Sequence, residues 1–310
     1  MICVKAKRKF WTTPGFRLFL MTMPFLVLVF LFSYLPLLGW RYAFFDYKAG
    51  MKLSKTPFVG FKYFQSIVGS SIRIRDIMRV LRNTLGMSFL GIATSPLPML
   101  FAIMLYEIHS TSYRRIVQTL TTLPNFISWV LVYSVAYAMF SVGDGFVNRV
   151  LIRWGIINTE INFLASRNHV WLTMWAYGTW KGLGWSAVMY LAALTGVDQT
   201  LYEAARVDGA GRRHVILHIE IPSLLPTFFV LLLLSIANII NNGMEQYYVF
   251  SNAMNKNYIE VLDLYVYNQG ITGNQIPYAT AVGMLKSVIS IILLTVANWI
   301  SKLVRGQSIL

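Results

Sequence analysis

Charge is scarce in this chain, and acid is scarcer still. Only 13% of the 310 residues are charged, 12 acidic against 27 basic, where a soluble domain carries about 25%. So little charge excludes an ordinary water-soluble fold. Cysteine occurs once, at Cys3, which excludes an internal disulfide and leaves no thiol cluster for a metal. Histidine offers little more: His214 and His218 stand four apart, and two ligands alone make a weak metal site. No phosphate-binding loop is present, since the stretch Gly283–Ser287 lacks the second glycine beside its lysine and lies in an apolar run. The chain itself is therefore expected to hydrolyse no ATP. The net charge of +15 is spread through loops without a basic stripe or a nucleic-acid motif, which argues against a nucleic-acid partner.

What the chain has in quantity is apolar length. Hydrophobic residues make up 56%, with glycine and proline inside the apolar runs, as in membrane helices. Six runs of about 23 residues are each enough to cross ~30 Å of hydrocarbon. They are Leu18–Trp40, Asn83–Tyr106, Ile116–Phe140, Val170–Leu194, Leu224–Tyr248 and Tyr278–Ile300. The basic arm Lys5–Arg17 precedes bulky apolar residues with no small-residue cleavage site, so the first run is expected to remain as a membrane helix. Ile72–Leu81 and Leu151–Leu164 read as short surface helices, and Gly178 with Gly182 as a site of close helix approach. Neither an internal repeat nor a soluble domain is evident. The expected division is an arm, first span and outer loop over 1–82, a five-helix core over 83–301 holding a polar loop at 195–222, and a tail over 302–310.

That polar loop carries the most specific pattern. Leu201–Val207 reads as a short amphipathic helix ended by Gly209, a residue free to adopt a left-handed turn. A second short helix is expected over Arg212–Ile219, before Pro222 and the next span. Read alone, the stretch is either an interhelical loop or a docking surface. Glu203-Ala204-Ala205, then Gly209, then Ile219-x-Ile221-Pro222 resembles the EAA signature of the membrane subunits of binding-protein-dependent ABC importers. The longer form Tyr202–Ala210, with Asp208, is similar to the carbohydrate branch. One departure is Gln199, where such sequences often have proline; Asp198 can still cap the helix.

The resemblance implies an all-α polytopic membrane protein, with six transmembrane helices in the type I ABC importer permease fold. It also implies that Glu203, Ala204, Ala205, Asp208, Gly209 and Pro222 couple the chain to an ATPase. The implied partners are a second homologous permease, two subunits that bind ATP and magnesium, and an extracytoplasmic substrate-binding protein, with an oligosaccharide as cargo. No cofactor is expected on the chain itself. The implied location is the bacterial cytoplasmic (inner) membrane, in contact with lipid, with both termini cytoplasmic. Basic residues divide nearly evenly between the two faces, so charge alone orients the chain weakly.

Polar groups inside the spans mark the expected path, since each needs a partner or a water-filled cavity. Ser235, Asn238, Asn241, Asn242 and Glu245 crowd the fifth span; Ser235, Asn238 and Asn242 share a face if the helix is continuous. The asparagine amides suit sugar hydroxyls, with helix–helix hydrogen bonds or local water as the alternatives. The resemblance matches Asn241-Asn242 to a pair in maltose-type permeases and assigns Ser235 and Asn242 to the sugar site. Tyr177 and Trp185 could stack on sugar rings or on the core. Lys181 and Lys286 either snorkel or face the path, and in the second case they favour an anionic sugar. The chain as a whole is also similar to permeases for alginate and pectin oligosaccharides. A secondary transporter or a membrane scaffold are the other classes open to six spans.

Overall fold

The computed structural model describes residues 14–305; Cys3 and the basic residues Lys5, Lys7, Arg8 and Lys9 lie outside them, as does the end of the tail. The described residues are helical, with β structure limited to one antiparallel bridge between Phe45 and Phe58. They form two compact units, residues 14–67 with 269–284, and residues 68–268 with 285–305.

In the first unit, α1 (Pro14–Val29) continues through a π turn, Phe30–Tyr34, into a 3-10 stretch, Leu35–Phe44. Pro24 lies inside α1 without ending it. The apolar run is exposed on every side, as expected of a helix whose surroundings are hydrocarbon. Beyond it, Phe44, Phe61 and Phe64 form a cluster with ring centroids 5.5–5.6 Å apart.

The second unit contains α2 (Ser71–Ala93), α3 (Pro96–Tyr106), α4 (Thr111–Thr122), α5 (Trp129–Phe140), α6 (Val170–Thr195), α7 (Gln199–Val207), α8 (Arg212–Ala237), α9 (Glu245–Phe250), α10 (Leu262–Tyr267) and the later part of α11 (Ile276–Arg305). Helix α6 is central and touches α2, α3, α4 and α8. Met99, Ala102 and Ile103 of α3 pack on Ala187, Tyr190 and Leu194 of α6 and Leu224 of α8. Lipid tails are as apolar as these side chains, so close packing and internal hydrogen bonds hold the helices together. Asn83 supplies such bonds: fully buried, it donates to the carbonyls of Asn257 and Glu260 at 3.0 and 3.1 Å.

Among the described residues, four helices are long and apolar enough to cross a membrane, Leu18–Phe44, Ser71–Tyr106, Arg212–Ala237 and Ile276–Leu303. A fifth arises if Thr111–Phe126 and Trp129–Phe140, bent by 104°, count as one span. Helix α6 has the length but dilutes its apolar residues with Gly178, Gly182, Gly184 and Lys181. Six crossings are compatible with this set.

Several boundaries differ from the sequence reading, each for a local reason. The second span begins at Ser71, because the expected surface helix Ile72–Leu81 is its first part. The third breaks at Pro124, whose ring sits in a 3-10 turn. The surface helix expected over Leu151–Leu164 is instead Phe146–Arg153, ending two residues before Gly155 at φ +69°. The fifth span ends at Ala237, well short of Tyr248. Close helix approach falls at Gly184: an added Cβ would lie 2.3 Å from the Thr121 carbonyl oxygen, whereas at Gly182 it would meet nothing within 4 Å.

Candidate functional site

The loop between α6 and α8 is built from its caps inward. Asp198 accepts the Thr200 N–H at 3.0 Å and starts α7. The bonds from Thr200 hold the Asp198 carboxyl below the usual carboxylate range. At the other end, Ala210 N–H reaches the Ala205 carbonyl at 2.9 Å and Gly209 N–H the Arg206 carbonyl at 3.1 Å. This is the Schellman arrangement, and it requires the left-handed backbone that Gly209 adopts at φ +70°. Tyr202 and Ala205 face inward, half-buried, while Glu203, Ala204, Arg206, Val207, Asp208 and Gly209 are exposed. Val207, an apolar residue, is 88% exposed, which leaves an anchor without a pocket in this chain.

The second half of the loop differs from expectation. Arg212–Val215 is the first turn of α8, continuous with the span through a π turn over Ile216–Glu220. Ile221 N–H bonds to the Ile216 carbonyl five residues back. That extra residue in the turn makes room for the Pro222 ring, which would otherwise meet the preceding turn. Arg212 forms an ion pair with Glu107, at the end of α3. His214 and His218 stack with centroids 5.7 Å apart, and no group of three metal-binding side chains occurs among the described residues.

A second feature lies between α2, α3, α6 and α8, an open cavity of about 640 Å³. Ser235 and Asn238 line it, with Thr94, Ser95, Trp175 and Trp185. Trp175 is oriented by donating its indole N–H to Thr94 Oγ1 at 2.9 Å. Hydroxyls, an amide and indole faces without charge suit a polyhydroxyl ligand. Gly178 and Gly182 also line this space, so their lack of side chains leaves room for a ligand rather than for another helix.

The shared face expected for Ser235, Asn238 and Asn242 is not formed, because the helix ends at Ala237 and the chain turns through Gly243 at φ +76°. Asn238 caps the helix, donating to the Leu234 carbonyl at 2.9 Å. Asn241 donates to Asn238 at 3.3 Å and to Ser290 at 3.1 Å, and Asn242 to Ser88 at 2.9 Å. These two asparagines tie the break to α11 and α2. Glu245 starts α9, is exposed, and does not line the cavity.

Nor do the other candidates meet there. Tyr177 packs on Phe250 at 5.0 Å and lines a separate apolar cavity of about 810 Å³. Lys286 pairs with Asp263, which also accepts the Gly243 N–H at 2.9 Å. Lys181 is buried and donates to the carbonyls of Pro124 and Asn125 at 3.1 and 2.7 Å, 5.5 Å from the Trp129 ring centre. It satisfies backbone oxygens that the 104° bend frees. Lys181→Met leaves the Asn125 carbonyl without this donor, while the Pro124 carbonyl keeps the Ile127 N–H at 3.2 Å, and is expected to destabilise the chain by about 1–3 kcal/mol. Thermal unfolding in detergent checks this, with Lys181→Arg expected to lose less.

The match to known proteins covers most of the chain. Residues 94–306 fit the family described as the binding-protein-dependent transport system inner membrane component. The chain belongs to this family. This inner-membrane component is 37% identical to Protein LplB of Bacillus subtilis (strain 168) over 286 residues, 92% of this chain and 88% of the relative. It is 35% identical to the polygalacturonan/rhamnogalacturonan transport system permease protein YteP of the same organism, covering 92% and 87%. Among solved structures it resembles a chain of a bacterial ABC transporter involved in the import of the acidic polysaccharide alginate. There the identity is 30% and the TM-score 0.82, over 94% of this chain and 96% of that one. A further match, at 29% identity and TM-score 0.83, is to the bacterial alginate ABC transporter in complex with an alginate-pentasaccharide-bound periplasmic protein; it covers 97% of this chain and 100% of that one.

Sequence reasoning missed three parts of this inner-membrane component. Asp263, Gly184 and Glu107 act on residues 23, 63 and 105 positions away, and only Gly184 carried a local signal, as one of three glycines in an apolar helix.

Proposed function

We propose that this chain forms half of the translocation path of an ATP-driven importer of oligosaccharides, specifically of uronate-containing ones such as alginate or pectin fragments. A second, homologous permease, two ATP-binding subunits and an extracytoplasmic binding protein complete the assembly. The loop 195–222 and both termini lie in the cytoplasm. The observation that carries this reading is the likeness, over nearly the full chain, to an alginate importer. YteP, named for polymers rich in uronic acid, supports the same class.

The cavity accounts for the sugar part of the proposal but not for the acid part. Ser235, Asn238 and Thr94 offer hydrogen bonds, and Trp175 and Trp185 offer flat faces. Its lining here holds no charged side chain. The carboxylates of the cargo would therefore be met by the partner permease and by exposed arginines of α2, such as Arg75 and Arg82. Coupling follows from α7. ATP draws the two ATPase subunits together, each pulls on an exposed face such as Glu203–Gly209, and the packed helices pass between two discrete arrangements.

The test is ATP turnover by the assembly in lipid with its binding protein. Oligogalacturonates or alginate oligosaccharides are expected to raise turnover at least fivefold, and methyl-esterified oligogalacturonates of equal length are not. Equal stimulation by the esterified sugars removes the uronate part and leaves the importer. No stimulation by any sugar removes both.

A further inference from the structure

The junction between the loop and the spans holds an unmet pair of groups. Glu220, in the π turn of α8, is fully buried, and neither carboxyl oxygen has a hydrogen-bond partner. Tyr202, on the inward face of α7, buries a hydroxyl that also has none. One is an acceptor and the other a donor. They sit on the two elements that flank Gly209, the part of the chain on which the proposed ATPase would pull. Over 90% of buried polar groups in folded proteins are paired, and exceptions call for an explanation.

The surroundings do not supply one. Arg212, the nearest cation, is taken by Glu107. Glu107 itself lies beside Glu220, near enough for the two carboxyls to share a proton though without a well-formed bond, and adds like charge. The Tyr106 ring packs 6.4 Å from that of Tyr202. Burial, then the neighbouring Glu220, pushes the Tyr202 phenol up from its ordinary value, so Tyr202 remains a donor. The Tyr106 hydroxyl lies near that of Tyr202 without a well-formed bond to it, and the carboxylate acceptor beside the Tyr202 O–H is that of Glu220.

We propose that Tyr202 and Glu220 form a latch that is open in this structure and closes, Tyr202 O–H donating to the Glu220 carboxyl, in the other transport arrangement. An interaction made in one of two states shifts the balance between them by its own worth. The latch thus converts a movement of α7 into a movement of the span Arg212–Ala237. It makes Tyr202 and Glu220 positioning residues for coupling. This inference rests on the importer reading above.

Four variants of the complete assembly in lipid test it: Tyr202→Phe, Glu220→Leu, the double variant, and Glu220→Gln, which keeps an acceptor. The readout is the ratio of sugar-stimulated to basal ATP turnover, after gel filtration has verified assembly. Tyr202→Phe and Glu220→Leu are each expected to lower the ratio about fivefold, the worth of one buried hydrogen bond. The double variant is expected to match either single one, since both remove the same bond, and Glu220→Gln to stay within about twofold of the parent. A ratio unchanged in either single variant, losses that multiply in the double, or Glu220→Gln as poor as Glu220→Leu overturns the latch. Failure of the parent assembly to respond to any sugar strikes the importer reading instead.

Discussion

Gly209→Val is expected to remove at least nine-tenths of sugar-stimulated ATP turnover while the chain still reaches the membrane. The backbone at Gly209 is left-handed, at φ +70°, where a residue with a Cβ is strained by about 1–2 kcal/mol and a β-branched one by more. No atom lies within 4 Å of an added Cβ, so the effect comes from the backbone and not from a clash. Relieving it means giving up the bonds from Gly209 and Ala210 that close α7, and with them the placement of Glu203 and Val207. Asparagine tolerates this conformation, so Gly209→Asn is expected to keep most of the response and Gly209→Ala an intermediate share. Turnover measured across the three variants checks the order. Valine equal to asparagine means that the turn is not what the loop needs.

Gly184→Ala is expected to be the most damaging single-methyl change in the membrane core. Its Cβ would lie 2.3 Å from the Thr121 carbonyl oxygen, 2.4 Å from its carbon and 2.8 Å from Thr122 N. All three are backbone atoms, so no rotamer change gives way and α6 must move off α4. Overpacking of a tight contact costs about 1–3 kcal/mol, and this case belongs at the upper end or beyond it. Gly182→Ala, two residues nearer the start of α6, meets nothing within 4 Å and serves as the control. Thermal unfolding in detergent should show a large loss for Gly184→Ala and little change for Gly182→Ala. The reverse order means the two helices pack differently.

The loop was the most legible part of the chain because its signals are local. Asp198 as a cap and Gly209 as a turn both act within a few residues, and the structure uses them in those places. The fifth span was misread because its length as an apolar run outweighed a turn signal in its own sequence. Asn241-Asn242-Gly243 is such a signal, and the chain leaves the helix just before it. Ser235 and Asn238 nonetheless reach the cavity, since both belong to the helix end that precedes the break. The two lysines were illegible for a different reason. Whether a buried cation is free or spent depends on a partner elsewhere, and Asp263 and the carbonyls at Pro124 and Asn125 stand 23 and 56–57 residues away. No periodicity reports that.

The claim that most of this rests on is that α7 docks into an ATP-hydrolysing subunit on the cytoplasmic side. Photo-crosslinking in native membranes addresses it, with a reactive residue placed at Val207 and, in a separate variant, at Phe146, which is 56% exposed in the loop assigned to the other face. Val207 is expected to yield a crosslink to a subunit that binds ATP, and Phe146 to yield none. A crosslink from Phe146 to that subunit, or none from Val207, would contradict both the docking role and the orientation.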